Sequence, residues 1–214
     1  EEVRILAPTE SYVTHYPEAL DFTKKQMSVL WFPDEIKVEK DVQDILVNMT
    51  EAERHGVITV LKHFTKYDLI VGSENWGDVI SKMFPRPDIR RMANCFSFFE
   101  LNVHAPFYSK INQALYLDTE EFYTDYLNDA TMKQRIDALE VQTGAGACVN
   151  LISLAFTEGA ILYSSFAFLK HFQSKGKNKL LNVVRGINFS AVDENIHSEA
   201  SAWLFKQYCA EAGM

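Results

Sequence analysis

Glycine and proline are scarce in this 214-residue chain, nine and six respectively, well under the roughly 12% of average usage. No proline follows Pro106. Helix is therefore expected to dominate, and no alternating strand pattern competes with it. Cysteine is equally sparse. Cys95, Cys148 and Cys209 are widely separated, which excludes a disulfide framework and suggests buried thiols of a reducing compartment, the cytoplasm. No apolar run reaches the roughly 18 residues of a membrane span, and the first residues carry no secretory signal pattern, so a soluble chain without a membrane partner is expected. Basic charge is also lacking: the net charge of -8 excludes a general affinity for phosphate backbones, and nucleic acid is not an expected partner.

What is present is a large apolar inventory. Hydrophobic residues make up 47% of the chain, including 15 Phe and 9 Tyr, enough to close one substantial core and to exclude disorder. Residues 1–35 carry Pro8, Pro17 and Pro33 and read as an irregular N-terminal arm packed on a helical domain spanning 36–214. Thr50-Glu51-Ala52-Glu53 is a capping box opening a long helix to about Phe84, bent near Gly72. Pro85 and Pro87 mark the start of a second, running to about Leu115. Thr119 caps a shorter helix, Thr131 opens another, and Gly144 and Gly146 form a break. An apolar stretch from Cys148 to about Leu169 is expected to be buried on most sides, and the last helix runs from about Leu180 to Cys209. Long helices joined by short breaks predict an all-α antiparallel bundle. The chain begins without Met and stops at Met214 with no obvious terminator, so trimmed ends are expected.

Carboxylates inside apolar helices are informative, because burying one costs several kcal/mol unless it is paired, protonated or metal-bound. Four long segments contain one in order: Asp68, Glu100, Glu158 and Glu194. Residues three or four apart share a helix face, so Glu100 with His104 and Glu194 with His197 can each direct two ligands at one metal. Two single carboxylates and two Glu-His pairs form the ferritin-like dinuclear pattern. His15, His55, His63 and His171 lie among charged or polar neighbours and read as surface histidines. Tyr108, one turn beyond His104, places a phenol near the proposed metals, and Trp31 closes the arm.

These residues resemble the small, radical-generating subunit of class I ribonucleotide reductase over roughly 25–210. The resemblance rests on Trp31-Phe32-Pro33-Asp34-Glu35, Leu61-Lys62 leading to Asp68, Val103-His104-Ala105 followed by Tyr108, Glu158 ahead of Ser164-Ser165-Phe166-Ala167-Phe168, and Asp193-Glu194-Asn195-Ile196-His197. It implies Asp68, Glu100 and His104 at one metal and Glu158, Glu194 and His197 at the other. The cofactor implied is two iron ions, with manganese or a mixed pair as alternatives. It further implies a radical on Tyr108 in an apolar pocket that includes Leu162 and Phe166. An exit path would run through His104, Asp193 and Trp31 to a large catalytic subunit that reduces ribonucleotides, and the chain would form a homodimer. The family continues beyond the last Glu-His helix, so a truncated C-terminus is expected. Rival readings are another ferritin-like di-iron oxidase, an iron-handling ferroxidase, and a bundle without metal.

One spacing departs from the family. The first pair is usually Glu-x-x-His, whereas Glu100 precedes His104 by four residues and Leu101 takes the usual ligand position. Both spacings keep the two side chains on one helix face, at about -60° for three residues and about +40° for four, so the ligand set survives in principle. Pro106 also deprives the Asn102 carbonyl of its amide partner. A widened, π-type turn within about residues 99–106 is predicted, returning Glu100 to its metal.

Overall fold

The computed structural model describes residues 3–143 and 146–214, with the side chains of 142 and 143 left aside. Ten α-helices run through these residues, several joined end to end by π-helical segments, and no strand occurs among them. The all-α expectation therefore holds.

Helix α1 spans Pro17–Ser28 and buries Ala19, Thr23 and Gln26, spaced four and three residues apart so that they share one face. This corrects the expectation of an irregular arm. Pro17 occupies the first turn, where the amide it lacks would have no helical partner. Helix α2, Glu51–Leu69, opens at the expected capping box: Glu53 N donates to Thr50 Oγ1 at 3.2 Å and Thr50 N to Glu53 Oε2 at 3.0 Å. It continues through a π segment, Ile70–Ile80, into the short α3, Ser81–Met83. Gly72 is needed there, because a Cβ at that position would lie 2.7 Å from Glu100 Cβ. Ser97 Oγ donates to the Gly72 carbonyl at 2.8 Å, satisfying an acceptor where the winding departs from α.

Helix α4, Pro87–Phe99, passes directly into a π segment at Glu100–His104 and then α5, Ala105–Ala114. The widened turn predicted from the spacing and Pro106 is present. Helix α6 is Glu120–Thr124, capped by Thr119, and α7 is Ala130–Thr143. The cap of α7 is Asp129 rather than Thr131: Asp129 Oδ1 accepts from Thr131 N at 2.9 Å and Met132 N at 3.0 Å, as a short acidic side chain before a helix does. The break expected at Gly144 lies outside the described residues, while Gly146, in extended conformation, precedes α8, Ala147–Phe156. A π segment at Thr157–Ile161 joins α8 to α9, Leu162–Lys170.

Continuous winding makes Ala147–Gln173 long and apolar enough to cross a membrane by length and composition, which corrects the reading that no segment qualifies. It carries Glu158, fully buried, and lies against the last helix. Nor is it buried on most sides. Val149, Ile152, Phe156 and Ile161 are exposed, because only its inner stripe meets the bundle. The last helix, α10, Leu181–Ala212, follows Leu180 in left-handed conformation. Carboxylates from distant residues serve its free amides: Asp44 Oδ2 accepts from Leu180 N at 3.0 Å and Asp41 Oδ2 from Val183 N at 2.7 Å.

Candidate metal centre

Asp68 comes from the last turn of α2, Glu100 and His104 from the π segment after α4, Glu158 from the π segment after α8, and Glu194 and His197 from α10. None is more than 2% exposed. Two sets of ligand atoms cluster within 4.8 Å: Asp68, Glu100 and His104, and Glu100, Glu158, Glu194 and His197. The structure thus brings all six sequence-derived candidates together and adds one feature. Glu100 belongs to both sets, with Oε2 3.2 Å from His104 Nδ1 and Oε1 2.8 Å from His197 Nδ1. Glu194 also reaches both imidazoles, at 3.3 and 3.6 Å. These two carboxylates would help to hold both ions of a metal pair.

The fit to cations rests on atoms left without partners. Asp68 Oδ2, Glu100 Oε1, Glu158 Oε2, Glu194 Oε2 and His197 Nδ1 are buried and make no hydrogen bond of acceptable geometry. Glu100 Oε1 and His197 Nδ1 are close yet misaligned for hydrogen bonding, as expected when both lone pairs face a third point. Four carboxylates supply four negative charges, which two divalent cations would neutralise. The crowding raises proton affinity as well. Burial, and then Glu100, push the Asp68 carboxyl well above its ordinary range. Burial, and then Glu194, do the same to Glu158. Burial works against charge on the two imidazoles but is outweighed, at His104 by Glu100 and Asp193 and at His197 by Glu158 and Glu100, so both are raised. At Glu194 burial is likewise outweighed by its close polar contacts with Glu158, His104 and His197, which hold that carboxyl below its usual range.

Each imidazole turns its other nitrogen away from the cluster. His104 Nε2 lies 2.8 Å from Asp193 Oδ2, and His197 Nε2 lies 2.7 Å from Gln26 Oε1. Gln26 Nε2 donates to Asp193 Oδ1 at 2.8 Å. A carboxylate only accepts, so the amide group of Gln26 faces Asp193 and its oxygen faces His197. That arrangement puts a proton on His197 Nε2, so Nδ1 is the nitrogen that would ligate after giving up its own proton to a metal's charge. Trp31 Nε1 donates to Asp193 Oδ2 at 2.9 Å, and its ring stacks beside His104 with centroids 6.2 Å apart. Trp31, Asp193 and His104 are therefore joined by hydrogen bonds. Tyr108, in α5, is buried against Phe64 at 4.9 Å and Phe107 at 5.3 Å, and Phe166 packs on Phe64 at 5.3 Å. Burial, and then the Asp68 charge, push its phenol well up, so it keeps its proton at neutral pH.

Two functional neighbours escaped the sequence reading. Gln26 lies in the stretch read as irregular, although its four-three spacing with Ala19 and Thr23 was a usable signal. Trp76, in the π segment after α2, donates to Glu158 Oε1 at 2.8 Å, and nothing in its local sequence marked it. His63 requires correction. It is a half-buried residue lining a cavity of about 480 Å³ with Phe64, Tyr67 and Leu162, and its Nε2 has no partner. Burial, and then Arg135, lower its pKa to about 4.

Comparison with known proteins gives a consistent result. A probable ribonucleoside-diphosphate reductase small subunit of Invertebrate iridescent virus 6 is 27% identical over 92% of this chain and 58% of its own length. The small chain from Schizosaccharomyces pombe is 27% identical over 89% of this chain and 49% of its own. The chain thus spans half to three-fifths of these relatives. In fold it is similar to the dimanganese(II)-NrdF of Streptococcus sanguinis, with a TM-score of 0.80 at 20% identity over 93% of this chain and 70% of the other. An R2-like ligand-binding oxidase aligns with a TM-score of 0.67 at 16% identity, over 92% of this chain and 74% of the other. Residues 10–213 match the family described as "Ribonucleotide reductase, small chain", and this chain belongs to that family.

Proposed function

We propose that this chain is the radical-generating part of a ribonucleoside-diphosphate reductase small subunit, with Asp68, Glu100, His104, Glu158, Glu194 and His197 holding two iron ions. The observation that carries the proposal is the hydrogen-bonded line His104, Asp193, Trp31 beside a buried tyrosine. When bound, the metal pair supplies oxygen-driven one-electron oxidation. Tyr108 would be the group oxidised, its buried phenol holding its proton on Oη until then. Phe64, Phe107 and Phe166 surround that ring and exclude water from it. Asp193 accepts hydrogen bonds from an imidazole and from the indole of Trp31, so a proton can shift along them as an electron passes through Trp31. Nucleotide reduction takes place on a large catalytic subunit, in the cytoplasm, and the small subunit works as a homodimer. Membership of the family supports these three assignments.

The test is electron paramagnetic resonance after anaerobic loading with Fe(II), or separately with Mn(II), followed by oxygen. Wild type gives a tyrosyl signal, and Tyr108→Phe retains metal and loses the signal. Equal radical yield in the Phe variant overturns the assignment. A second reading, a ferritin-like oxidase, is favoured by one observation. The cavity lined by Phe64, Leu162 and Thr157, the residue before Glu158, could hold an apolar substrate. Two bound metals with no radical in wild type, and oxidation of an added apolar substrate, would favour it.

A further inference from the structure

Helices α8 and α10 run antiparallel along a seam of small residues. Ser198 Oγ donates to the Ala155 carbonyl at 2.9 Å, and a Cβ on Gly159 would overlap the Ser198 hydroxyl. Cys148 precedes Gly159 by eleven residues, and Cys209 follows Ser198 by eleven. Eleven residues are about three helical turns, so in an antiparallel pair both steps travel the same distance in the same direction and return to the same face. The register set at Gly159 and Ser198 therefore carries Cys148 opposite Cys209, where the first turn of α8 meets the last turns of α10. The two thiols do adjoin. Burial, and then the neighbouring Cys148, raise the Cys209 thiol. Neither is disulfide-bonded and both are half-buried, within reach of a small oxidant. Cys95, the third cysteine, lies on α4.

We infer that Cys148 and Cys209 form a peroxide-sensitive thiol pair whose disulfide ties the start of α8 to the end of α10. The Cys148 thiolate attacks one oxygen of hydrogen peroxide or an organic hydroperoxide. The O–O bond breaks, and water or an alcohol leaves after protonation. The Cys209 sulfur then attacks the sulfenic sulfur, forming S–S, and its proton leaves with the second oxygen as water. Two thiols lose two electrons and two protons, and one peroxide is reduced. The bond ties α8, which leads into the π segment carrying Glu158, to α10, which carries Glu194 and His197, and it closes a loop through α9. Cross-linking at that separation limits the unfolded chain, so the oxidised protein withstands heat better than the reduced one. The pair is independent of the metal-centre proposal.

The experiment treats the metal-free protein with hydrogen peroxide, titrates thiols and maps peptides by mass spectrometry. Wild type loses two of its three thiols and yields a Cys148–Cys209 peptide lighter by two hydrogens. The cross-link persists in Cys95→Ser. In Cys209→Ser it is absent, and a sulfenic acid is trapped at Cys148 by a dimedone probe. The oxidised form melts at a higher temperature, and dithiothreitol reverses the shift. Three intact thiols after peroxide, a disulfide that includes Cys95, cross-links only between chains, or identical melting of the two forms would each overturn the inference.

Discussion

The two Glu-His pairs reach the same pocket by different backbones. Glu194 and His197 sit three residues apart in the regular α10, where three residues turn the direction by about -60°. Glu100 and His104 sit four apart, which in α winding would point them about 100° away from that arrangement. The π winding at Glu100–His104 has roughly 4.4 residues per turn, so four residues turn by about -33°. One extra residue and one widened turn nearly cancel. The two pairs thus agree in direction rather than in spacing, and Pro106 supplies a backbone already unable to hold regular α bonding. In the other half of the centre the single carboxylate Glu158 also lies in a π segment.

Deleting a residue separates these two halves most sharply. Removing Asn195 from α10 leaves Glu194 and His197 two apart, on diverging faces, and metal content measured by elemental analysis should fall from two ions per chain to one or none. Removing Leu101 restores Glu-x-x-His in regular α winding, and metal content should stay at two, with stability changed by only about 1 kcal/mol. If the Leu101 deletion lost its metal while the Asn195 deletion kept it, the directional account would be wrong.

A smaller effect is expected at the outer hydrogen bonds. Gln26→Leu removes the partner of His197 Nε2 and one partner of Asp193, and metal affinity in competition with a chelator should weaken about 10–100-fold. Trp76→Phe should be milder. It leaves Glu158 Oε1 without its donor, at a cost of about 1–3 kcal/mol to folding in urea titrations.

The smallest expected effect concerns pH. His63 has a folded pKa of about 4 against an ordinary 6.5, so the unfolded chain binds its proton more readily. Its contribution is fully present above 6.5 and is lost as pH falls from 6.5 toward 4. The loss is about 1–2 kcal/mol, discounted for partial exposure. His63→Gln should flatten the stability profile in that window, and an unchanged slope would refute the assignment.

Much of this arrangement was legible in the residues. The Thr50 capping box, Pro87 in a first turn, and four carboxylates spread over four apolar segments depend on local chemistry, which sequence records directly. The widened turn at Glu100 was also readable, because a misfit spacing and a proline coincided. The π segments at Ile70–Ile80 and Thr157–Ile161 were not. Their winding answers to where Trp76 and Glu158 must end up in space, a tertiary demand with no local signature. Helix α1 was hidden by prolines on either side of it, which punctuate a chain without saying what lies between. The role of Glu100 in both atom clusters is geometric, and only the packed bundle reveals it.

The most direct measurement is an anaerobic Fe(II) titration of the metal-free protein, counting ions bound per chain in wild type and in Glu194→Ala. The account predicts two ions in wild type and a loss of stoichiometric binding in the variant, because Glu194 faces both imidazoles. A wild type that saturates at one ion or none, or a variant that still binds two, would contradict it.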